Sequence, residues 1–325
     1  MPGLQSLGMV AIGRNEGERL LRCFDSLPRS MRHVVYVDSG SSDDSVEQAR
    51  RRGIDVIQLD MSRPFTAARA RNAGLRRLCE RWPGLLFAQF LDGDCALAPG
   101  WLEAAVRELE SEPRLALVCG RRREIHPDAS IYNRLADMEW NTPVGEVESS
   151  GGDALARIAA LAEVGGYADG VMAGEEPEMC ARLRARGWRI RRMDHEMTLH
   201  DAAMTRFGQW WRRSVRSGYG CAELAAMHPG MLARERRSSL LWGLAVPGAA
   251  ALMAPAGGLG LILLLGYPAL GVRILVRRRS RGDRLRDAAL YANFCMLGKF
   301  PEVAGHAKYW WDRVRGRKGK LIEYK

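Results

Sequence analysis

The chain has 325 residues, 47% of them apolar, enough for one large domain and an appendage with a well-buried core. Its formal net charge is +11, yet the stretch from Arg236 onward holds 17 Lys+Arg against 5 Asp+Glu while the first 235 residues hold 32 against 33. Basicity confined to a tail speaks against a nucleic-acid-binding domain and for an anionic membrane surface; seven cysteines without C-x-x-C or Cys/His clustering speak against a disulfide framework or structural zinc site.

Met1 to Gly8 has neither the basic start nor the apolar core of a secretory signal, so a reduced, cytosolic catalytic portion is expected. Gly8–Gly13 reads as a first strand and Arg14-Asn15-Glu16 as the turn after it. Glu18 to Leu27 has apolar residues at 20, 21, 24 and 27, a helical stripe. Val34–Val37 predicts a second strand that ends at Asp38, where a carboxylate can meet a base or ribose. Ser39-Gly40-Ser41-Ser42-Asp43-Asp44-Ser45 follows as a turn rich in helix N-caps. Ile54 to Leu59 is a third strand, and Thr66 to Leu78 a helix that carries Arg71. Such alternation implies right-handed βαβ units and a mostly parallel sheet. Neither G-x-G-x-x-G after the first strand nor G-x-x-x-x-G-K-[ST] anywhere is present, so phosphate charge must be met by a metal and by arginines such as Arg71.

Leu85 to Asp94 is the run around which the rest is organised. Its apolar body predicts a strand buried on both faces, and it ends in Asp92-Gly93-Asp94. Period-two geometry turns the two carboxylates the same way, and Gly93 admits close neighbours. Taken alone, Asp-Gly-Asp is also an ordinary polar turn. At the carboxyl end of a strand in an open α/β sheet, the pair suits Mg²⁺ or Mn²⁺ carrying a diphosphate.

Taken together, Arg14-Asn15-Glu16, Val37-Asp38-Ser39-Gly40-Ser41, Ala70-Arg71-Asn72 and Leu91-Asp92-Gly93-Asp94 resemble, in order and spacing, the nucleotide-binding half of family 2 glycosyltransferases. The resemblance implies the GT-A fold, an α/β Rossmann-like domain with a mostly parallel sheet. It assigns donor binding to Asn15, Glu16, Asp38, Arg71, Asp92 and Asp94, with a divalent metal held by the two aspartates. Where the family often has a second acid after the one matching Asp38, this chain has Ser39.

Pro99 to Leu109 reads as a helix, Leu115–Cys119 as a strand, Arg121-Arg122-Arg123 as a solvated basic edge in preference to a phosphate contact, and Ile131 to Trp140 as a helix. Gly145 to Gly152 is a loop or short strand, and Ala154 to Glu163 a short helix. Gly174-Glu175-Glu176-Pro177-Glu178 opens another helix, where acids complement the dipole and Pro177 fits the first position. The same run resembles the family's Gly-Glu-Asp-x-Asp-Leu-x-x-Arg-Leu signature, whose second acid is the catalytic base. That role falls on Glu176, with Glu175 in reserve. His200 follows a strand and resembles a family histidine near the diphosphate, a third candidate for the metal. Gln209-Trp210-Trp211-Arg212-Arg213 resembles the Gln-x-x-Arg-Trp motif, with Arg213 in place of Trp; Gln209, Trp211 and Arg212 are candidates for an acceptor or diphosphate region.

Ser238 to Val272 is a run of 35 residues without a charge, flanked by arginines and divided by Pro255-Ala256-Gly257-Gly258. One straight span needs about 20 residues, so two short helices fit better, Leu240 to Ala254 and Leu259 to Val276, as a hairpin with both ends on the cytoplasmic face, the first helix being short enough for a re-entrant or tilted arrangement as well. A buried pair in a soluble domain is the alternative. Ala288 to Lys325, with Tyr309, Trp310 and Trp311, reads as an interfacial amphipathic helix and polybasic end.

The expected organisation is thus a catalytic domain over 1–235 and a membrane hairpin with a basic tail over 236–325. The expected activity is inverting transfer of a sugar from a nucleoside diphosphate, UDP by preference, to a lipid-linked or glycan acceptor at the inner membrane. Nucleotidyl transfer and a membrane-bound scaffold are the alternatives.

Overall fold

Alternating apolar runs and capped turns build the first part of the chain, and the computed structural model describes residues 3–255, 258, 260–317 and 322. Contacts divide the chain into two units. The first comprises Met1–His126, Glu139–Val171 and Glu175–Ala202; the second comprises Pro127–Met138, Met172–Gly174 and Ala203–Lys325.

In the first unit, β1 (Leu7–Gly13), α1 (Glu18–Asp25), β2 (Val34–Asp38), α2 (Ser45–Arg51), β3 (Asp55–Gln58), α3 (Ala67–Arg81) and β4 (Phe87–Asp92) follow the expected alternation. β5 (Cys95–Leu97), α4 (Trp101–Ser111), β6 (Leu115–Glu124), α5 (Ile131–Glu139), β7 (Gly145–Glu146), β8 (Ala154–Arg157), α6 (Ile158–Glu163), α7 (Glu175–Ala185) and β9 (Arg189–His200) continue the chain, α5 lying mostly in the second unit. Among the described residues nine strands form one sheet in the order β3-β2-β1-β4-β8-β6-β9-β5, with β7 on β9.

β3, β2, β1 and β4 are parallel neighbours. β8 then runs antiparallel between β4 and β6, so the sheet is mixed beyond β4. Val10, Ala11, Phe90 and Leu91 have no exposed surface, as strands covered on both faces require.

Two local expectations are corrected. Ala154 to Arg157 is strand β8 rather than the start of a helix, because its four residues fill the gap between β4 and β6. Strand β6 runs on through Arg121-Arg122-Arg123 to Glu124, so these arginines are not a loose basic edge.

The second unit is helical: α8 (Phe207–Met227), α9 (Ala233–Leu240), a π-helical turn Leu241–Ala245, α10 (Val246–Met253), α11 (Leu261–Leu264), α12 (Gly266–Arg279), α13 (Leu285–Leu297) and α14 (Lys299–Val314). α8 and α14 cross so closely that a Cβ on Gly218 would overlap the backbone of Glu302, and one on Gly305 that of Val215. Part of the expected tail helix is thus a packed element: Tyr309 is buried and meets Tyr219 edge-on at 5.4 Å, while Trp310 and Trp311 stay exposed. Among the described residues no helix is long and apolar enough to cross a membrane. Ala256, Gly257 and Leu259 of the expected hairpin, and Lys318–Leu321 and Glu323–Lys325 of the polybasic end, lie outside the described residues.

Candidate active site

Asp92 closes β4 beside Ile12 of β1, and the Gly93 N–H donates to the Ile12 carbonyl at 2.7 Å. A Cβ on Gly93 would stand 3.1 Å from that carbonyl oxygen and 3.1 Å from Glu16 Cγ. The absence of a side chain here therefore lets the turn after β1 lie directly against Asp-Gly-Asp. Asn15, at a φ of 54°, takes the left-handed conformation that Asn tolerates. Its Oδ1 accepts from the Ser42 N–H at 2.7 Å and its own N–H donates to Ser41 Oγ at 2.9 Å, which ties the turn after β1 to the turn after β2. Glu16 pairs with Arg19 at 2.9 Å.

Asp38 has a different job from the one expected. Its carboxylate accepts from the Gly40 and Ser41 N–H groups at 3.0 Å each, from Tyr36 Oη at 3.3 Å and from Ser41 Oγ, and the residue is buried. It closes its own turn in the manner of an Asx-turn and presents no free face to a nucleoside.

Behind the Asp-Gly-Asp turn lies a chain of paired charges. Arg71, buried on α3, donates from Nη2 to Asp92 Oδ1 at 2.7 Å and from Nη1 to Glu175 Oε1 at 2.6 Å. With both ends of its fork held by carboxylates, Arg71 fixes Asp92 and α7 rather than standing free for a phosphate. Glu175 is thereby paired and buried, which removes it as the reserve base. Arg122 pairs with Asp153 at 2.7 Å and approaches Asp92 at 3.5 Å. Asp153 in turn accepts the Asp92 N–H at 3.0 Å and the Thr198 hydroxyl at 2.9 Å, and is fully buried. The carboxylates beside Arg71 and Arg122 hold both guanidiniums charged against the cost of burial.

Asp94 faces a second group. Its Oδ2 is 3.3 Å from His200 Nε2, and His200 Nδ1 is 3.7 Å from Glu124 Oε2. Trp140 stands edge-on to the imidazole at 4.6 Å. Burial lowers the His200 pKa, so the ring is neutral and a ring nitrogen can act as a ligand. His200 reaches this place as the last residue of β9, paired with Cys95 of β5 and Glu124 of β6. Ligand atoms of Asp94, Cys95 and His200 lie within 4.8 Å of one another, and so do those of Asp92, Cys95 and Asp153. Burial beside Asp153 and Asp92 drives the Cys95 thiol well above its ordinary pKa, so it remains protonated. The effective donors are hard carboxylate oxygens and one neutral imidazole, a set that fits Mg²⁺ or Mn²⁺.

Glu176, in the first turn of α7, accepts the Gly151 N–H at 2.7 Å. Its pKa is pushed up to about 7, foremost by burial and then by the neighbouring Glu175, against the opposing pull of Arg71 and of the Gly151 and Ser150 N–H groups. The next residue, Gly152, touches the other carboxylate: a Cβ there would lie 2.8 Å from Arg71 Nη2 and 3.0 Å from Asp92 Oδ2. One dipeptide, Gly151-Gly152, thus has Glu176 on one residue and Asp92 on the next. The base candidate and the Asp-Gly-Asp turn share a neighbourhood.

Residues 10–153 match the sequence model of glycosyl transferase family 2. Over that segment the chain is similar to this family. Pre-mycofactocin glycosyltransferase of Mycobacterium tuberculosis is 29% identical over 246 residues, which cover 70% of this chain and 49% of that protein. This chain therefore spans about half the length of that relative. Glycosyltransferase AglE of Haloferax volcanii is 25% identical over 221 residues, 63% of this chain and 69% of AglE. Among solved structures, mannosyltransferase PcManGT from Pyrobaculum calidifontis, in complex with GDP-Man and Mn²⁺, superposes with a TM-score of 0.63 at 20% identity over 95% of this chain and 88% of that one. A likeness at that identity is one of fold, and it is the mixed α/β sheet of the GT-A type.

The Gln-x-x-Arg segment of this chain is used locally. Gln209 Oε1 accepts from the Thr205 and Arg206 N–H groups at 2.9 and 3.0 Å, and Nε2 donates to the Ala203 carbonyl at 3.3 Å, so the side chain caps the start of α8. Trp211 packs 5.7 Å from Phe207, and Arg212 is exposed. All three belong to the second unit.

Three residues of the site went unrecognised in the sequence: Arg122, Glu124 and Asp153. A strand continued past Cys119 would have separated them, since period two places Arg122 inward against Asp153 while Arg123 turns outward to Glu196 at 3.0 Å.

Proposed function

We propose that this chain transfers a sugar from a nucleoside diphosphate to an acceptor hydroxyl or phosphate by direct displacement. The observation that carries this is the Gly151-Gly152 dipeptide, which has the Asp92 carboxylate and the Glu176 carboxylate as immediate neighbours. Glu176, with a pKa near the working pH, is suited to take the acceptor proton as the new bond forms. Asp94 and His200 would hold a divalent cation, and Asp92 borders the same Cys95 sulfur, held in place by Arg71 and Arg122. When bound, such a cation neutralises charge on the departing diphosphate. Glu124 lies beside the His200 imidazole, and Asp153 fixes Arg122 and the backbone of Asp92. A base on one side and a stabilised leaving group on the other give inversion at the anomeric carbon without an enzyme-bound intermediate.

The apolar run and basic tail favour an acceptor held at a membrane, lipid-linked or part of a cell-surface glycan, with the catalytic unit on the cytoplasmic side of the inner membrane. The test is a panel of nucleotide sugars with Mn²⁺ or Mg²⁺ and membrane lipid extract, read as released nucleoside diphosphate and as the anomeric configuration of the product. UDP-sugars and GDP-mannose both belong in the panel, the latter because the PcManGT complex is named with it. Inverted product and free diphosphate are expected. Pyrophosphate release would indicate nucleotidyl transfer, and turnover by none of the donors would leave the scaffold reading.

A further inference from the structure

Within the second unit the uncharged run folds back on itself. A Cβ on Gly260, just before α11, would stand 2.5 Å from the Ala250 carbonyl and 2.8 Å from Met253 Cβ, so the two arms are in close contact. Around this bend the apolar side chains face outward. Leu252 is 84% exposed, Ile262 61% and Leu265 66%, and every residue of Leu261–Leu265 is exposed. Scattered exposed leucines are ordinary, but a contiguous apolar tip marks a surface that is covered by something. The far ends of both arms are basic and exposed, Arg236 and Arg237 on one and Arg273 and Arg277 on the other.

We propose that this bend is a monotopic anchor whose apolar tip enters one leaflet of an anionic bilayer and returns, leaving the arginines among the headgroups. The lengths set the depth. Met253 follows Arg237 by 16 residues and Arg273 follows Leu261 by 12. At about 1.5 Å per residue the charge-free arms are about 24 and about 18 Å long, short of a hydrocarbon core of about 30 Å. A full crossing would strand Arg273 in the hydrocarbon. A second copy of the chain is the poorer occupant, because its own arms end in the same basic residues and offer these arginines no anionic counterpart. Anionic headgroups instead match a tail with 17 Lys+Arg against 5 Asp+Glu. The anchor rests on the membrane location proposed above and supplies its mode; it draws on none of the chemistry of the first unit.

The full chain is mixed with vesicles of phosphatidylglycerol and phosphatidylethanolamine, or of phosphatidylcholine alone, and floated. It is expected to float with the anionic vesicles. Leu261→Asp with Leu265→Asp is expected to lower partitioning by tenfold or more, and Arg277→Gln by about fivefold, roughly the effect of one basic residue at such a surface. All three positions are exposed, so the thermal transition and nucleoside diphosphate release in solution are expected to stay unchanged. Depth is read from Ile262→Cys carrying an environment-sensitive fluorophore. Lipids brominated within the near leaflet are expected to quench it, and a membrane-impermeant quencher sealed inside the vesicles is not. Quenching from the lumen would overturn the one-leaflet mode while leaving the membrane location standing. Failure to float would overturn both, whether or not a dimer lost in the leucine variant appears in its place. Loss of diphosphate release with flotation intact would strike the proposed chemistry alone.

Discussion

A carboxylate that titrates near neutrality is a liability for folding and an asset for proton transfer, and Glu176 is such a group. Its folded pKa of about 7 lies above the ordinary 4.5, so the folded state binds more protons than the unfolded chain between those values, and its contribution to stability falls as pH rises through that window. Glu176→Gln is therefore expected to melt higher than the parent above pH 7, with the difference fading toward pH 5, in thermal scans across pH. The same substitution is expected to lower turnover about 10²- to 10⁴-fold, the usual weight of a general base. In the parent, kcat/KM is expected to rise with pH through about 7 and then level; a profile flat from pH 5 to 8 would remove Glu176 from the proton transfer. Arg122 belongs to the same scale. Arg122→Met leaves the fully buried Asp153 without its cation and is expected to cost about 3 kcal/mol in denaturant unfolding, whereas Arg122→Lys restores part of it.

Elements place these residues through close approach. The turn carrying Gly151 and Gly152 touches Glu176 with its backbone and Asp92 with its missing side chain. Gly152→Ala would press a methyl against Arg71 and Asp92, and it is expected to reduce activity at least tenfold with a change in melting temperature of only a few degrees, as a loop substitution at a site rather than in a core. A matching test lies in the helical unit. Gly305→Ala would drive α14 off α8, where its Cβ would overlap the Val215 carbonyl, and overpacking of that kind is expected to cost about 1–3 kcal/mol. Its measure is the unfolding of that unit, followed by circular dichroism at 222 nm.

For the molecule as a whole, the decisive expectation concerns the cation. Chelation is expected to abolish turnover, and Mn²⁺ to restore it; Asp94→Asn is expected to raise the metal concentration needed for half-activity by about tenfold or more while leaving the melting temperature nearly unchanged, because the histidine that Asp94 faces at 3.3 Å is neutral. What could be read from residue order alone was the alternation of β1 through β4 and the carboxylates at the end of β4. Those rest on local signals, period-two apolar runs and capped turns, which need no knowledge of neighbours. Glu176 was marked by resemblance to a family signature, its place in an acidic helix start being the plainer reading of the same residues. Residue order could not show that Asp38, Arg71, Glu175 and Gln209, whose types suit ligand binding, also have partners in other parts of the chain. A carboxylate's role depends on which donor reaches it first: Gly40 and Ser41 for Asp38, Arg71 for Glu175. Asp153 and Glu124 matter only because β8 and β9 return to the sheet beside β4 and β6. Chemistry by residue type was legible in one dimension; which of those groups stand free and which are consumed by a neighbour was decided only when distant strands came together, because hydrogen bonds and ion pairs act over a few ångströms and take no account of separation along the chain.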